Sequence, residues 1–523
     1  MSSGTATPYR SGLRTGRDGF AQLMRAEWTK FRTVRGWLIG MMVAALVIVL
    51  LGLLSASGSQ TSCGGPSDVC PAVPVGPGGE AVEDKFYFVH RSLAGDGGIT
   101  VRMTSMTGQI RLPDITPGTR RVVPGVEPWA KAGVMIKDGT RQGSAYAATM
   151  ITGGHGVRMQ HDFTEDVAGR PGGVSAASPR WLRLTRSGEE LTGYESADGA
   201  HWTKVGTARL AGLPATVQVG LFVASPGDLT VKQTDLGGST VQNRFAEATA
   251  AFDQVSLEGK VSGGAWSRDD IGVTREPDGS PHHPGGVVES GGTFTVTGVG
   301  DIAPLADGQT IESTLTGVLT GLIVVIVVAV LFITAEHRRG LIRTSLLASP
   351  RRGRVLAAKA VVIAAVTFVA GLAGAGVVVP LGTWILRAGG NYVLPVSLLT
   401  ESRVVVGVAA LLAVAAVFAL ALGALFQRSA AAVTAAIAAI VLPHILATAS
   451  VLPAGAAQWL LRLTPAAGFA IQQSIPEYPQ VIGHYVPQAG YYPLAPWAGF
   501  AVLCGYAVLA LGLAVFMLRR RDV

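Results

Sequence analysis

Residues 335–360 read AEHRRGLIRTSLLASPRRGRVLAAKA, with Arg338, Arg339, Arg343, Arg351, Arg352, Arg354 and Lys359 crowded between two long apolar runs. Positive side chains in such a place hold a loop in the cytosol and offer a polar docking face. A second basic stretch, 25–33, reads RAEWTKFRT. Glu189, Glu190, Glu195 and Asp198 are the next candidates, since paired carboxylates cleave glycosidic bonds. They lack a Glu-x-Asp-x-x-Glu strand arrangement and fall near turns, so they read as solvated. His155, His161, His201, His282 and His283 do not have the H-x-x-x-H spacing of a zinc site. No G-x-x-x-x-G-K-[ST] run supplies a backbone cradle for phosphates. The chain therefore reads as no enzyme, with no metal and no cofactor of its own.

The elements that must carry these groups follow from composition. Only 15% of the 523 residues are charged, and the mean hydropathy is +0.40. Apolar residues concentrate in blocks around a polar middle, the pattern of a membrane protein with a soluble insert. Six blocks, 37–54, 315–334, 360–381, 404–426, 430–452 and 497–518, lack Asp, Glu, Lys and Arg. Each matches the ~20 residues a helix needs to cross a bilayer. The first reads as a retained span, not a cleaved leader. The formal net charge of +8 does not point to nucleic acid, because the cations sit beside apolar blocks.

Lys and Arg crowd the N-terminal side of block one, the stretch between blocks two and three, Arg428, and the closing Arg519, Arg520 and Arg521. The opposite flanks carry only Arg387, Arg403 and Arg462. The excess marks the cytoplasmic side of a bacterial-type plasma membrane, with both termini inside. The expected parts are a disordered tail (1–19), an interfacial amphipathic helix with the first span (20–56), an extracellular domain (57–310) and five further spans (311–523). The last part includes a cytoplasmic loop (335–359) and an extracellular re-entrant region (453–496). In the interfacial helix, Phe20, Leu23, Met24, Trp28 and Phe31 repeat at helical spacing, with Glu27, Lys30 and Arg32 among them. An unstructured basic tail is the alternative. For 453–496 the readings are short helices dipping into the outer leaflet or a surface loop with an aromatic belt.

Cys63 and Cys70 lie close together in a Gly/Pro-rich stretch outside the first span, where oxidising conditions allow a disulfide. Cys504 sits inside a span and reads as a small packing residue. His444, the one ionisable residue within a span, falls ~20 Å along its helix and reads as hydrated near the outer interface.

The domain 57–310 alternates apolar and polar residues in short runs, as at 99–103, 181–186, 191–195 and 216–223, with turns at Ser187-Gly188 and Asp198-Gly199. That spacing predicts an antiparallel β-sandwich. WAKAGVMIKD (129–138), WLRLTRSGEELTGYESADGAHWTKVG (181–206) and AFDQVSL (251–257) resemble the concanavalin A-like, jelly-roll module of extracellular bacterial proteins. In that family a W…DIG…GTFTVTGSGDI segment comes first. Here WSRDDIG (266–272) and GTFTVTGVGDI (292–302) come last, so the sandwich reads as circularly permuted. The resemblance implies an extracellular glycan as ligand. Trp129, Trp181 and Trp202 could stack on sugars but read as core.

The membrane part resembles ABC-2-type permeases. Residues 336–359 are similar to that family's E-x-R-x-G-[TL]-I-R-T-[TS]-L and P-R-R-x-x-[VL]-x-A-K, and RAEWTKFRT is similar to its start. The resemblance implies a separate ABC ATPase, holding ATP and Mg²⁺, at the cytoplasmic face. It also implies a dimer of permeases embedded in membrane lipid. Glu336, Arg339, Gly340, Arg343, Thr344 and Leu346 would form the element that takes up the ATPase's motion. Export is the expected direction. The alternative is a non-transporting sensor whose sandwich binds a surface glycan and signals to a cytoplasmic ATPase.

Overall fold

The computed structural model describes residues 19–61, 72–112, 121–234, 238–275, 281–305, 308–338, 352–449, 452–483, 485–487 and 490–520. Cys63 and Cys70, and most of the basic loop, lie outside them. Six helical stretches are long and apolar enough to cross a membrane. A short helix α1 (Phe20–Thr33) runs into α2 (Arg35–Gly58) through an extended Val34, and α3 (Gly317–Arg338) returns beside it. Then come α4 (Arg352–Ala388) and α5 (Leu398–Phe426). Two shorter helices, α6 (Ser429–Ala436) and α7 (Leu442–Thr448), are joined by a π-helical segment over Ile437–Val441. A short α8 (Ala454–Leu463) and a 3₁₀ segment over Pro465–Gln472 precede α9 (Pro496–Arg520).

Block five forms one continuous helical stretch, Ser429–Thr448, with the π-helical segment inside it. Pro443 cannot donate a backbone hydrogen bond, and the wide turn just before it takes up the mismatch. Within 453–496, α8 and the 3₁₀ segment are helical elements among the described residues. The 3₁₀ segment is buried along its whole length and packs on α5 and α9. Small residues allow the helices to approach closely. A side chain on Gly52 of α2 would strike the Thr314 carbonyl, and one on Gly407 of α5 would strike Ile471.

The insert is a large antiparallel β-domain. Its spine is the long strand Phe86–Leu112, which pairs with Thr216–Ala224 along its first part and with Arg180–Ser187 further on. Ala246–Val261 runs beside most of it. The late segments join the same sheet: Ser267–Ile271 pairs with residues 86–90, and Thr293–Gly298 with 248–252. The main core gathers Val89, Ile99, Val101, Val134, Leu182, Leu184, Val219 and Phe252. The strands Lys131–Lys137 and Tyr146–Thr152 are buried on both faces, because a second apolar layer (Phe86, Phe88, Met135, Tyr146, Phe163, Phe222) covers the other side.

That second layer includes the stalk of the domain. Val82–Asp84, where the chain arrives from α2, pairs with Ile302–Pro304, where it leaves for α3. Two fully buried lysines fasten this pair to the strand Lys131–Lys137. Lys131 Nζ donates to Asp301 at 2.5 Å and to the Ile302 carbonyl at 2.7 Å. Lys137 Nζ donates to Asp84 at 2.8 Å and to the Ser144 carbonyl at 2.9 Å. Burial pushes the Lys137 ammonium below its usual range even with Asp84 against it.

The sandwich is seated on the bundle. Ala81 of the stalk packs with Leu394, Ile475 and Tyr491, and Gln480 Nε2 donates to the Thr164 carbonyl at 2.9 Å. Asn391 ties the end of α2 to the turn after α4 by accepting from Ser59 Oγ at 3.0 Å and Thr61 Oγ1 at 2.8 Å.

Candidate functional site

The site is built at the opposite end of the helices, where the two carboxylates of the basic stretches meet. Glu27 and Phe31 are one helical turn apart on α1, and they are its two buried residues. Phe20 and Trp28, of the expected apolar stripe, are exposed, as is Arg32. Phe31 turns into the bundle and packs edge-on against Phe332 at 5.5 Å, with Trp37 5.0 Å from the same ring. This aromatic wedge brings α1 against the end of α3 and the start of α4.

Lys359 stands at the centre. Its Nζ donates to Glu27 Oε2 at 2.6 Å and to Glu336 Oε1 at 2.7 Å, and it lies 4.5 Å from the Phe332 ring centre. Lys30 closes the group, with Nζ 2.7 Å from Glu27 Oε1 and 3.2 Å from Glu336 Oε1. The side chains of Lys359, Glu27 and Glu336 are 1%, 3% and 8% exposed, so the ions are almost dry. Burial lowers the Lys30 pKa, but Glu27 and Glu336 outweigh it and hold its ammonium above the usual range. Two carboxylates and two ammoniums leave no net charge. This balance allows the burial, since an unpaired charge there would be expensive. Glu336 Oε2 has no hydrogen-bond partner among the described residues.

Glu336 opens the basic loop and Lys359 closes it, so this contact fastens the two ends of the loop to each other and to α1. Of the six expected coupling residues, Glu336 is placed here. Arg339, Gly340, Arg343, Thr344 and Leu346 lie outside the described residues. Lys359 is expected as a cytoplasmic flanking charge and as the closing lysine of the family-like motif, with no partner named for it. The signal available for it was the lone carboxylate in each basic stretch, which calls for a partner.

The other candidates are placed differently. Glu195 is not a solvated turn residue. It is buried and accepts the Arg170 N–H at 2.7 Å, because the segment around 170 folds over the end of its strand. Glu189 accepts the Gly212 N–H at 2.8 Å. Asp198 is held far below the usual carboxylate range by the backbone and ring of His201, the Ala200 N–H and Ser196. Trp129 is core and stacks on His155 at 4.0 Å, as expected. Trp181 and Trp202 are half-buried instead, with the guanidiniums of Arg102 at 6.0 Å and Arg183 at 4.0 Å over their rings. His444 stacks on Phe469 at 4.1 Å, and its Nδ1 is enclosed, because the 3₁₀ segment covers it from water.

Six apolar helices, a buried charge cluster at one end and a β-domain mounted at the other define a multi-pass membrane protein with an inserted sandwich. The family described as ABC-2 family transporter protein matches residues 159–523, well over half of the chain. The chain belongs to that family, as a membrane permease. The match begins inside the sandwich and leaves α1 and α2 outside it. No curated protein matches the chain. Among solved structures, scytalido-glutamic peptidase with a transition-state analogue inhibitor is similar at 10% identity and TM-score 0.27, over 43% of this chain and 100% of that one. A functionally unknown protein from Saccharomyces cerevisiae is similar at 14% identity and TM-score 0.22, over 40% of this chain and 99% of that one. Neither likeness bears on activity.

Proposed function

We propose that this chain is the membrane-spanning permease subunit of an ABC-2-type exporter driven by a separate ATPase, working as a permease dimer. ABC-2 family permeases generally work with an ATPase partner. ATP and Mg²⁺ are bound by that partner, and this chain takes no part in the hydrolysis. The basic loop 335–359 faces the cytoplasm and docks on the ATPase. The observation that carries the reading is the Glu27–Lys359–Glu336 contact. The contact joins the two ends of the loop to α1, so a push on the loop reaches α1, α3 and α4 together. The sandwich is extracellular and is a permuted jelly roll that binds a glycan. The rigid stalk favours a second reading, in which glycan binding is relayed to the ATPase without transport.

The test replaces Arg343 with Glu and reconstitutes the chain with its co-purified ATPase. Insertion and the amount of chain in the membrane are expected to be unchanged, with substrate-stimulated ATP hydrolysis lost. Full stimulation in this variant would remove the coupling role from the loop. ATP hydrolysis that responds to glycan while no cargo moves would favour the sensor.

A further inference from the structure

The sandwich leaves one sheet face open. On the strand Arg180–Ser187, Leu182 and Leu184 enter the main core, so Trp181, Arg183 and Thr185 point the other way. On the spine, Ile99, Val101 and Met103 are core, which puts Thr100 and Arg102 on the open face. The register carries this face across neighbouring strands. Arg183 stands opposite Thr100 on one side and Tyr194 on the other, and Tyr194 stands opposite Lys204. Trp181, Arg183 and Tyr194 are half-buried, and Lys204 is exposed.

Two arginines of this face are mounted alike and paired differently. Each guanidinium lies over an indole, Arg102 6.0 Å from the Trp181 ring centre and Arg183 4.0 Å from that of Trp202. Arg102 is neutralised, because its Nε and Nη2 donate to the two oxygens of Asp253, both at 2.7 Å. Arg183 Nε donates to the Thr100 hydroxyl at 2.9 Å, and no carboxylate pairs with it among the described residues. The register gives the reason. Asp253 stands opposite Arg102, but the residue opposite Thr100 on the same strand is Ser256. A bulge separates the two, with Gln254 at a left-handed φ of 48°. Other acids do not fill the gap. Glu258, further along that strand, makes no ion pair with Arg183. The oxygens of Asp198, in the turn beside Trp202, are taken by Ser196, Ala200 and His201.

The Arg183 guanidinium is therefore held flat, with Nη1 and Nη2 unspent among the described residues. Trp202 beneath it is fixed in turn by its own N–H, which donates to the Gly199 carbonyl at 3.1 Å. A planar fork with two free donors matches the two oxygens of a carboxylate. Tyr194 alongside offers a ring for a sugar to lie against, and Lys204 stands two strand spacings, about 10 Å, from Arg183.

We propose that this face binds an acidic glycan through Arg183: the carboxylate of a uronate residue enters the guanidinium fork, and its pyranose ring lies against Tyr194. The proposal rests on the reading of the sandwich as a glycan-binding domain and names the class of sugar. A uronate carries its carboxylate on the ring, so charge and flat face arrive together. A phosphodiester-linked polyol brings charge without a ring and leaves Tyr194 without a partner.

The full chain in nanodiscs of zwitterionic lipid, applied to an array of neutral and uronate-bearing oligosaccharides, tests both levels. Binding to the uronate-bearing members is expected, weakening as salt rises. Binding to neutral members alone would overturn the proposal and leave the glycan reading standing. Binding to none would remove the glycan reading and the proposal with it. Solution titrations with oligogalacturonate then read the residue. Arg183→Gln is expected to weaken binding about tenfold or more, the loss of a charge-assisted pair. Arg183→Lys should recover little of it, because an ammonium cannot form the fork. Methyl esterification of the oligomer keeps the rings and removes the charge. It should cost the native chain the same factor and the Arg183→Gln variant almost nothing, whereas a misfolded variant would lose the ester as well. Equal affinity of the native chain for acid and ester, equal affinity for polyglycerol phosphate, or an affinity for the acid unchanged by Arg183→Gln would overturn the proposal.

Discussion

Lys359 shows what a single side chain is asked to do. It is an ammonium with almost no access to water, held by two carboxylates that stand 332 and 23 positions away in the chain. Removing it leaves Glu27 and Glu336 buried with only the half-exposed Lys30 to offset them. Breaking a buried pair from one side costs about 3–5 kcal/mol, whereas replacing the whole group with packed apolar residues is often neutral. Lys359→Met is therefore expected to lower the thermal unfolding midpoint of the purified chain strongly. Adding Glu27→Leu and Glu336→Leu should recover much of the loss. A midpoint unmoved in the single variant would mean that the cluster is hydrated and adds little. The charge order was legible in the sequence, since both carboxylates stand out in basic company. Their common partner was not, because nothing local links residue 27 to residue 359.

At the scale of elements, the stalk strands and the strand Lys131–Lys137 form the joint on which the sandwich is mounted. Both lysines point into an apolar layer and would not be there without Asp301 and Asp84. Asp301→Asn keeps the shape and removes the charge, leaving Lys131 buried without its counter-ion. The expected cost is again about 3–5 kcal/mol, confined to the sandwich. It should appear as earlier unfolding by tryptophan fluorescence and as new protease cuts near 80 and 305. The same variant should leave the helices folded, so a loss of helical circular dichroism at the same temperature would place the damage elsewhere. The strands themselves follow from period-two alternation. Strand 131–137 breaks that rule, because both of its faces are covered and a charged residue at each end is accepted by a partner far away in sequence.

Among the described residues, the flanking cations Lys30, Arg35, Lys359 and Arg520 stand at helix ends away from the sandwich. The charge cluster and the sandwich sit at opposite ends of the same helices, so α2 and α3 connect them directly. If the positive flanks face the cytoplasm, the sandwich must face out. In a chain whose Cys63, Cys70 and Cys504 are replaced by Ser, Lys204→Cys is expected to react with a membrane-impermeant maleimide on intact cells. Thr344→Cys should react only after permeabilisation. Both sites reacting from the same side would contradict the proposed topology and the cytoplasmic loop with it.

Hydropathy alone determined the six spans, because ~20 uncharged apolar residues have one stable home. The alternation of short runs determined an antiparallel β-domain between the first two spans. The motifs around Glu27 and Glu336 resemble a permease family, and the family match covers the second of them. Only tertiary structure decided that these motifs close on each other through Lys359, that lysines 131 and 137 are dry, and that Thr100 holds Arg183. Each of these joins groups far apart in the chain, and a buried charge is placed by whatever distant partner can balance it, which no local pattern records.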